Sequence, residues 1–319
     1  MISNRILKQV LLLNEEKNFA RAAQRLHLSQ PTLSRNIQAL EERLGQKIFD
    51  RAPRNLSLTT FGKLVVRHAE KIVTATSLLE NEIAQFSNLQ AGSLKFGGGP
   101  YPAEISFSKA IGLFIAQFPK IHIQSITDNW ENLHNLLLNE KIEFFVSDKS
   151  ELENSENLEI TPFKSHPAFF YCRHDHPILE KERIKLTDCM QYSLILPKLP
   201  KWMIQFMNTH SNSQVKQDPQ AYIECDNVGM SKKIVLNSFA IGIGVYSVVR
   251  TLLQDKSIKI IPFQPESLMT DHGLVKLKNH ALSPAAQKFI GILNQVEDEL
   301  CIEEAQYFSN TPGISLSNG

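Results

Sequence analysis

Between Asn18 and Gly45 the sequence predicts two helices that are separated by only a few residues. This short connection restricts how the N-terminal part of the chain can fold. Asn18 stands where its side chain can cap a short alanine-rich helix that runs to about Leu26. The small side chains of Ala22 and Ala23 allow another helix to cross this one at close range. The pattern is therefore typical of the first helix of a helix-turn-helix unit.

A second helix is predicted to begin after Ser29, because a serine cap followed by Pro31 in the first turn is a strong start signal. Gly45 is expected to end it. Its apolar stripe consists of Leu33, Ile37, Leu40 and Leu44. An amphipathic pattern from Ile2 to Leu13 predicts one more helix upstream of this pair.

The other face of the second helix is polar. It carries Gln30, Thr32, Ser34, Arg35 and Gln38. Hydroxyls, amides and a guanidinium near a helix N-terminus can read the edges of DNA bases, while the helix dipole attracts phosphate. On this face alone, a merely solvated surface on a three-helix bundle is the alternative interpretation.

The segment from Lys47 to Leu58 predicts two short strands around a basic turn, which would form a wing beside the second helix. Arg51 and Arg54 can reach phosphate or the minor groove from this wing, although Arg51 can instead pair with Asp50 or with an acid of a helix.

The charge distribution agrees with a nucleic-acid-binding head. The chain has 319 residues and a net charge of only +1, but its first 67 residues hold 12 Lys and Arg against five Asp and Glu. The first segment therefore carries +7 and the remainder −6. This asymmetry indicates a polyanion-binding module joined to a part with another role.

A long helix is predicted next. Thr59 can cap a helix from about Lys63 to Gln90 that contains no proline and no interior glycine. Its seam of residues spaced by seven consists of Val65, Ile72, Leu79 and Phe86. Such a narrow stripe needs a partner, either the same helix of a second chain or this chain's own C-terminal domain.

Beyond the boundary at residues 91–93, extended runs alternate with helical ones, which predicts a parallel α/β sheet with crossover helices. The strands of a first set are expected at 94–97, 121–126 and 142–146, with helices at 105–118 and 130–138. A second set spans 192–262, and a strand at 274–277 and a helix at 284–301 are expected to return to the first set. Two lobes joined by crossing strands would enclose a ligand cleft.

The run from Phe19 to Gly45, continued by Ile48–Arg51 and Leu58–Gly62, closely resembles the LysR-type transcriptional regulators. The C-terminal region resembles the effector-binding domain of that family, which has the two-lobed fold of periplasmic solute-binding proteins. Its landmarks are Phe118-Pro119, Asp175-His176-Pro177-Ile178 and Ala240-Ile-Gly-Ile-Gly244.

The resemblance implies a winged helix-turn-helix at 1–58, a linker and dimerisation helix at 59–90, and an α/β effector-binding domain at 91–308. Lobe I would comprise 91–165 and 268–308, lobe II 166–267, and 309–319 would be a frayed tail. It places Gln30, Pro31, Ser34 and Arg35 at the DNA-facing start of the recognition helix, and Glu41 and Arg43 in packing and salt-bridge roles. A homodimer or homotetramer would grip an interrupted inverted repeat of double-stranded DNA, respond to a small-molecule effector and contact RNA polymerase, without a cofactor.

Relatives in this family often present a Ser or Thr hydroxyl and free backbone N–H groups to an anionic effector in the loop that is Gly97–Pro102 here. Pro100, Tyr101 and Pro102 fill that stretch instead. Because the two prolines have no N–H to donate, the sequence does not support the usual mode of carboxylate binding. Core packing is the alternative role for Tyr101. The predicted effector contacts are Pro100, Tyr101, Ser147, Pro197, Lys198, Asp226 and Asn227.

Other functions have weaker sequence support. Cys172, His174 and His176 would project to one side of an extended strand, as metal ligands or a nucleophilic pair do, but no fourth ligand is near. The triple glycine lacks the Lys-Ser/Thr of a P-loop, so nucleotide binding has even less support. The protein is not predicted to be an enzyme. No membrane span, export signal or CxxC pair is present, which favours a cytoplasmic protein. A DNA-binding regulator without a ligand stays an alternative.

Overall fold

The chain divides into two compact units, residues 1–87 and residues 88–319. The computed structural model describes residues 2–52, 55–86, 92–201, 203–205, 222–262 and 268–310. Each unit has its own arrangement of helices and strands.

Three helices form the first part of the N-terminal unit: α1 (Asn4–Glu16), α2 (Phe19–Arg25) and α3 (Gln30–Leu44). Polar side chains cap all three, because the first N–H groups of a helix have no partner within it. Asn18 Oδ1 accepts from the N–H groups of Ala20 and Arg21, and Ser29 Oγ accepts from that of Thr32. Their buried residues include Val10, Leu13, Ala22, Ala23, Leu33, Ile37 and Leu40.

The wing follows α3. Strands β1 (Phe49–Ala52) and β2 (Asn55–Leu58) pair antiparallel, with Phe49 opposite Leu58. Helix α4 (Thr60–Phe86) then begins three residues before the predicted Lys63, because Thr59 Oγ1 accepts a 2.8 Å hydrogen bond from the N–H of Gly62. The predicted end of this helix, at residues 87–90, lies outside the described residues.

The first sheet of the C-terminal unit contains five strands in the order β4-β3-β5-β12-β6. Their bounds are β3 (Gly92–Gly98), β4 (Ile121–Thr127), β5 (Phe144–Asp148), β6 (Leu158–Pro162) and β12 (His272–Leu277). Strand β3 runs parallel to β4 and β5, whereas β12 runs antiparallel to β5 and β6. This sheet defines lobe I.

The second sheet defines lobe II and has the order β11-β7-β10-β8-β9. Its strands are β7 (Ala168–Arg173), β8 (Leu194–Leu196), β9 (Ile223–Glu224), β10 (Ile241–Val245) and β11 (Ile258–Ile260). β10 is parallel to β8 and antiparallel to β7. The prediction of parallel strands is confirmed for β3, β4 and β5 and for β8, β9 and β10, but both sheets are mixed because β6, β7, β11 and β12 pair antiparallel. The α/β class is confirmed. Each of β7 and β12 follows a segment in which the chain crosses from one lobe to the other. Both strands run antiparallel to the strands beside them.

Helices cover these sheets. A helical turn at Pro100–Pro102 continues as a π-helix at Ala103–Phe107 and then as α5 (Ser108–Gln117), so the predicted helix at 105–118 begins earlier. Further helices are α6 (Trp130–Leu138), α7 (Leu186–Cys189), α8 (Val228–Leu236), α9 (Tyr246–Gln254) and α10 (Pro284–Ser309), with a 3-10 turn at Pro177–Glu180. Of the helices in the described ranges, none has the length and apolarity needed to span a membrane.

Helix α10 packs against both lobes. In lobe I, Phe289 lies with its ring centroid 4.4 Å from that of Phe96. Near the other end of the helix, the Phe308 ring lies 6.1 Å from Phe169 of β7. This second contact explains why the helix runs eight residues beyond its predicted end at Cys301. Ser309, the first residue of the predicted frayed tail, still belongs to the helix, and residues 311–319 lie outside the described residues.

Candidate DNA-binding surface and effector cleft

Helix α3 separates a buried apolar stripe from a polar surface. Leu33 and Ile37 are fully buried against the other helices of the unit. The side chains predicted to face DNA lie on the other side: Gln30, Pro31, Arg35 and Gln38 are exposed, and Thr32 and Ser34 are half-buried. The structure therefore brings all six together at one accessible surface near the N-terminus of the helix.

Neighbouring groups on α3 hold some of these side chains. The Thr32 and Ser29 hydroxyl oxygens lie 2.7 Å apart, and Gln38 Nε2 donates a 2.9 Å hydrogen bond to Glu42 Oε1. Arg35 Nε donates to the carbonyl oxygen of Pro31 at 3.4 Å. Since these bonds are exposed to water, the side chains can exchange them for bonds to a base at little net cost.

The buried carboxylate of Glu41 fixes the wing against α3. Glu41 is 2% exposed, and its Oε1 accepts hydrogen bonds from the N–H groups of Ile48 at 2.9 Å and Phe49 at 3.1 Å. Lys47 Nζ lies 3.3 Å from Glu41 Oε2. Glu41 is therefore a packing and salt-bridge residue, in agreement with the sequence expectation.

The two predicted wing arginines are less fully described. The backbone of Arg51 lies on β1 opposite Leu56, but its side chain lies outside the described residues, as does the whole of Arg54. Their contacts with DNA stay predictions.

The four seam positions of α4 differ in exposure. Val65 is half-buried against the core of the N-terminal unit, whereas Ile72 is 49% exposed and Leu79 is 58% exposed. The side chain of Phe86 lies outside the described residues. Two large apolar side chains, one heptad apart, are thus accessible on this helix.

A cleft of about 100 Å³ lies between the two lobes of the C-terminal unit. Six of the seven predicted effector contacts line it: Pro100, Tyr101, Ser147, Pro197, Lys198 and Asp226. Asn227 is not among the lining residues, because its Oδ1 accepts a 2.8 Å hydrogen bond from the N–H of Met230 and caps α8. Its predicted contact with an effector has no support in this arrangement.

Tyr101 crosses the cleft. Its hydroxyl, on the helical turn after β3, donates a 2.7 Å hydrogen bond to the carbonyl oxygen of Ile243 on β10. Burial, together with the neighbouring Tyr171, raises the pKa of Tyr101 well above its usual range. The phenol is therefore a neutral donor that joins lobe I to lobe II.

Three ion pairs join the same two lobes around the cleft. Each links a lysine of lobe II to a glutamate of lobe I: Lys198 to Glu131, Lys201 to Glu151 and Lys232 to Glu104. Exposed pairs of this kind contribute little individually. Together with the Tyr101 bond they define a closed arrangement of the lobes.

Burial shifts the pKa of an acid and a histidine inside the cleft. Burial raises the pKa of Asp148 above its ordinary value, although Ser150 donates two hydrogen bonds to the carboxylate. Burial also lowers the pKa of His272 to about 3, and the nearby His166 adds to this shift. His272 is therefore a neutral imidazole at physiological pH.

A buried histidine lies at the crossing between the lobes. His166 lies between Glu297 and Glu304 of α10, with Nε2 2.8 Å from Glu297 Oε2 and Nδ1 2.9 Å from Glu304 Oε2. The two segments that cross between the lobes are joined at this point, because the N–H of Thr270 donates a 2.9 Å hydrogen bond to the carbonyl oxygen of His166. Burial alone would lower the pKa of His166, but the two glutamates outweigh it and raise the pKa to about 9.

The alternative site at Cys172, His174 and His176 is contradicted by the backbone. Strand β7 ends at Arg173, so the three residues do not alternate along one strand. Burial raises the pKa of Cys172 to about 12, and His176 Nδ1 accepts a hydrogen bond from the N–H of Ile178. Within the described ranges, no group of three His, Cys, Asp or Glu residues could hold a metal ion.

Two family models match the chain. The model described as "Bacterial regulatory helix-turn-helix protein, lysR family" matches residues 5–63, and "LysR substrate binding domain" matches residues 87–298. The chain belongs to the LysR family of transcriptional regulators. It is thus a DNA-binding regulator with an effector-binding domain, as the resemblance indicated.

Relatives of this LysR-family regulator align over most of their length. The "SDS degradation transcriptional activation protein" of Pseudomonas sp. (strain ATCC 19151) is 36% identical over 91% of this chain and 94% of the relative. Among solved structures, full-length CbnR in complex with its target DNA has a TM-score of 0.67 at 18% identity, covering 92% of this chain and all of that one. A full-length OxyR variant of Pseudomonas aeruginosa has a TM-score of 0.63 at 21% identity, covering 93% and 95%. These structures confirm the fold.

Several residues of the regulator's cleft had no predicted role in the sequence. Trp130, Met203, Ile243, Met269 and Thr270 also line it. Trp130 lies shortly after the end of β4, and this position after a parallel strand was a usable signal. The others come from separate elements and crossings, which only the folded chain brings together.

Proposed function

We propose that this LysR-family regulator binds an interrupted inverted repeat of double-stranded DNA as a homodimer or homotetramer. The side chains of Gln30, Thr32, Ser34, Arg35 and Gln38 would read base edges in the major groove, and Pro31 would shape the helix start beside them. Arg51 and Arg54 would contact phosphate or the minor groove from the wing.

The observation that carries this proposal is the division of α3 into two faces. Leu33 and Ile37 are fully buried, while the polar residues beside them remain accessible at the helix N-terminus. A fully buried stripe fixes which face of the helix points outward. The accessible face lies in the most basic part of the chain, which favours DNA over any neutral partner.

Pairing of two chains through α4 supports the inverted repeat. Ile72 and Leu79 expose apolar side chains one heptad apart, as a helix pair requires. A twofold pair of helices would present two copies of α3 at a fixed separation, and the spacing of the half-sites follows from that separation. We propose residues 59–90 as this dimerisation segment, between a DNA-binding domain at 1–58 and an effector-binding domain at 91–308.

The cleft between the lobes is the proposed effector site, and Pro100, Tyr101, Ser147, Pro197, Lys198 and Asp226 are its proposed contacts. An effector that binds open and closed lobes with different affinity shifts the balance between them. The shift would change subunit packing, DNA bending and contact with RNA polymerase. Since the relative at 36% identity is named as a transcriptional activator, activation is the proposed direction of control.

The Tyr101–Ile243 bond favours a second candidate, a DNA-binding regulator that needs no ligand. In that case the protein's own side chain would hold the lobes closed. A screen of small molecules for shifts in the melting temperature of the full chain separates the two, because only a ligand-responsive regulator gains stability from binding.

A genome-wide footprint of the full-length protein tests DNA recognition. We expect protected sites that share an interrupted inverted repeat, and loss of these sites with the double variant Gln30→Ala/Arg35→Ala. A matched double variant on exposed residues of lobe II, Lys233→Ala/Lys256→Ala, should keep them. Protection without a shared repeat, or unchanged sites in the α3 variant, would contradict the proposal.

A further inference from the structure

The lobes meet around a cleft whose side chains are mainly apolar. Trp130, Leu199, Met203, Ile243 and Met269 come from both lobes and from the crossing between them. A surface of this kind favours a ligand that is largely apolar, since burial of apolar area is the main source of affinity in such sites.

The loop that would grip an anion is short of donors. Pro100 and Pro102 have no N–H, and the N–H groups of Gly99 and Ala103 already donate to the carbonyl oxygens of Val146 and Gly99. The Ser147 hydroxyl donates to the carbonyl oxygen of Asp148 at 3.1 Å, whereas the buried indole N–H of Trp130, which also lines the cleft, has no partner among the described residues. One indole N–H replaces only one of the several hydrogen bonds that an anionic group makes to water, so burial of an anion here stays unfavourable.

The charges around the cleft also disfavour an anion. Among the described lining residues, Lys198 is the one Lys or Arg, and its Nζ pairs with Glu131. Asp148 and Asp226 add negative charge, while His272 stays neutral. Both acids already accept hydrogen bonds, Asp148 from Ser150 and Asp226 from the N–H of Lys198, so neither requires a cationic ligand.

The bond that closes the cleft selects the polar group of the ligand. Between the Tyr101 hydroxyl and the Ile243 carbonyl, an inserted group must accept from the phenol and donate to the carbonyl. An alcohol does both. A carboxylate accepts but cannot donate, and an ammonium donates but cannot accept, so each would leave one partner unpaired at a cost.

We propose that the effector of this protein is an uncharged, predominantly apolar alcohol whose hydroxyl inserts between Tyr101 and Ile243. The inference rests on the proposed effector function of the cleft and specifies its ligand class. The closed cleft of about 100 Å³ is smaller than the several hundred Å³ of typical ligand sites. Binding therefore requires the lobes to separate, which couples the ligand to the conformation of the domain.

Calorimetric titration of the full-length protein with three probes of equal chain length tests the proposal. The probes are 1-octanol, octanoate and octylammonium, each below its aggregation concentration. We expect 1-octanol to bind with a dissociation constant at least about tenfold lower than either charged probe. Equal or tighter binding of octanoate or octylammonium would overturn the proposal, and so would no heat of binding from 1-octanol up to its solubility limit.

Two cleft variants locate the site. Tyr101→Phe removes the hydroxyl and should reduce the preference for 1-octanol over octylammonium about tenfold, because the ammonium no longer leaves a phenol without an acceptor. Met269→Lys places a cation on an exposed lining residue and should shift the preference toward octanoate. Met230→Lys, the same change at an exposed position outside the cleft lining, is the matched control and should leave the preference unchanged.

Footprinting with the same protein samples distinguishes a failure of the proposed ligand class from a failure of the proposed function. If the unmodified protein protects its repeat but does not prefer 1-octanol, the ligand class is wrong and DNA recognition stands. If it protects no specific site, the proposed function fails whatever the probes show.

Discussion

Tyr101 and Ile243, 142 positions apart in the sequence, are joined by a 2.7 Å hydrogen bond from the phenol to the backbone carbonyl. The bond links the helical turn after β3 to the central strand of lobe II. Because the bond is made within the protein, the lobes reach the closed arrangement without a ligand.

Removal of that hydroxyl should loosen the lobes. Tyr101→Phe keeps the ring but loses the bond, and we expect the free energy of unfolding to fall by about 1 kcal/mol. Amide hydrogen exchange should become faster in β10 and at the crossings. Tyr222→Phe, at an exposed tyrosine, is the control. Unchanged exchange in the Tyr101 variant would show that the bond does not hold the lobes together.

Arg35 should contribute to sequence recognition. If it reads a base, Arg35→Ala should lower affinity for the specific site by about 1–3 kcal/mol, with a smaller effect on unrelated DNA. Arg35→Lys keeps the charge but not the forked geometry, so it should restore nonspecific affinity more than specific affinity. Electrophoretic titrations at fixed salt measure both. An unchanged ratio of specific to nonspecific affinity would assign Arg35 to phosphate contact instead.

The exposed residues of α4 should hold the dimer. Leu79→Glu places a charge in the apolar seam at a cost of about 2 kcal/mol, roughly 30-fold in the dimer dissociation constant. Sedimentation equilibrium measures this constant. Lys71→Glu introduces a charge of the same sign at an exposed site outside the four seam positions and should leave association nearly unchanged. Equal effects of the two variants would argue against a seam at this helix face.

Glu41 should stabilise the N-terminal unit. Glu41→Ala leaves the N–H groups of Ile48 and Phe49 buried without their acceptor, and each unpaired group costs about 1–3 kcal/mol. We expect a loss of at least about 2 kcal/mol in chemical unfolding of the full chain. Glu42→Ala, at the exposed neighbour, should cost well under half of that. Comparable losses for both would contradict the structural role of Glu41.

Two buried histidines should give stability a maximum near neutral pH. The pKa of His166 is raised to about 9, so its contribution is complete below about 6.5 and is lost as pH rises toward 9. The pKa of His272 is lowered to about 3, so the unfolded chain binds a proton that the folded chain excludes, and stability falls as pH drops below about 6.5. Unfolding titrations from about pH 5 to about pH 9 measure both slopes.

Variants assign each slope to its histidine. His166→Gln should flatten the alkaline decline, and His272→Gln should reduce the acidic one. His280→Gln, at an exposed histidine outside the cleft lining, is the control. An alkaline decline that persists in His166→Gln would show that the pair of glutamates does not hold a protonated imidazole.

Local signals in the sequence were sufficient to predict the recognition helix. Ser29 caps α3, Pro31 stands in its first turn and Gly45 ends it with a φ of 71°, as predicted. The apolar stripe of this helix also predicted its buried face correctly. Such signals act over a few residues, so they do not depend on the rest of the fold.

The mixed sheets and strand β6 were not predicted, because strand direction depends on where the chain crosses between lobes. A pattern of alternating apolar residues predicts where a strand lies in the sequence, but it does not predict which strand pairs with it.

The sequence by itself determined the family, the helix-turn-helix and the order of most of the α/β elements, since each is encoded in short-range patterns of capping and apolar spacing. Only the tertiary structure decided which residues meet in the cleft and at the segments that cross between the lobes. Tyr101 meets Ile243, and His166 meets Glu297 and Glu304, across more than 130 positions in each case. Contacts at that separation leave no periodic trace in the sequence, because they arise from the packing of whole elements and not from the conformation of any one segment.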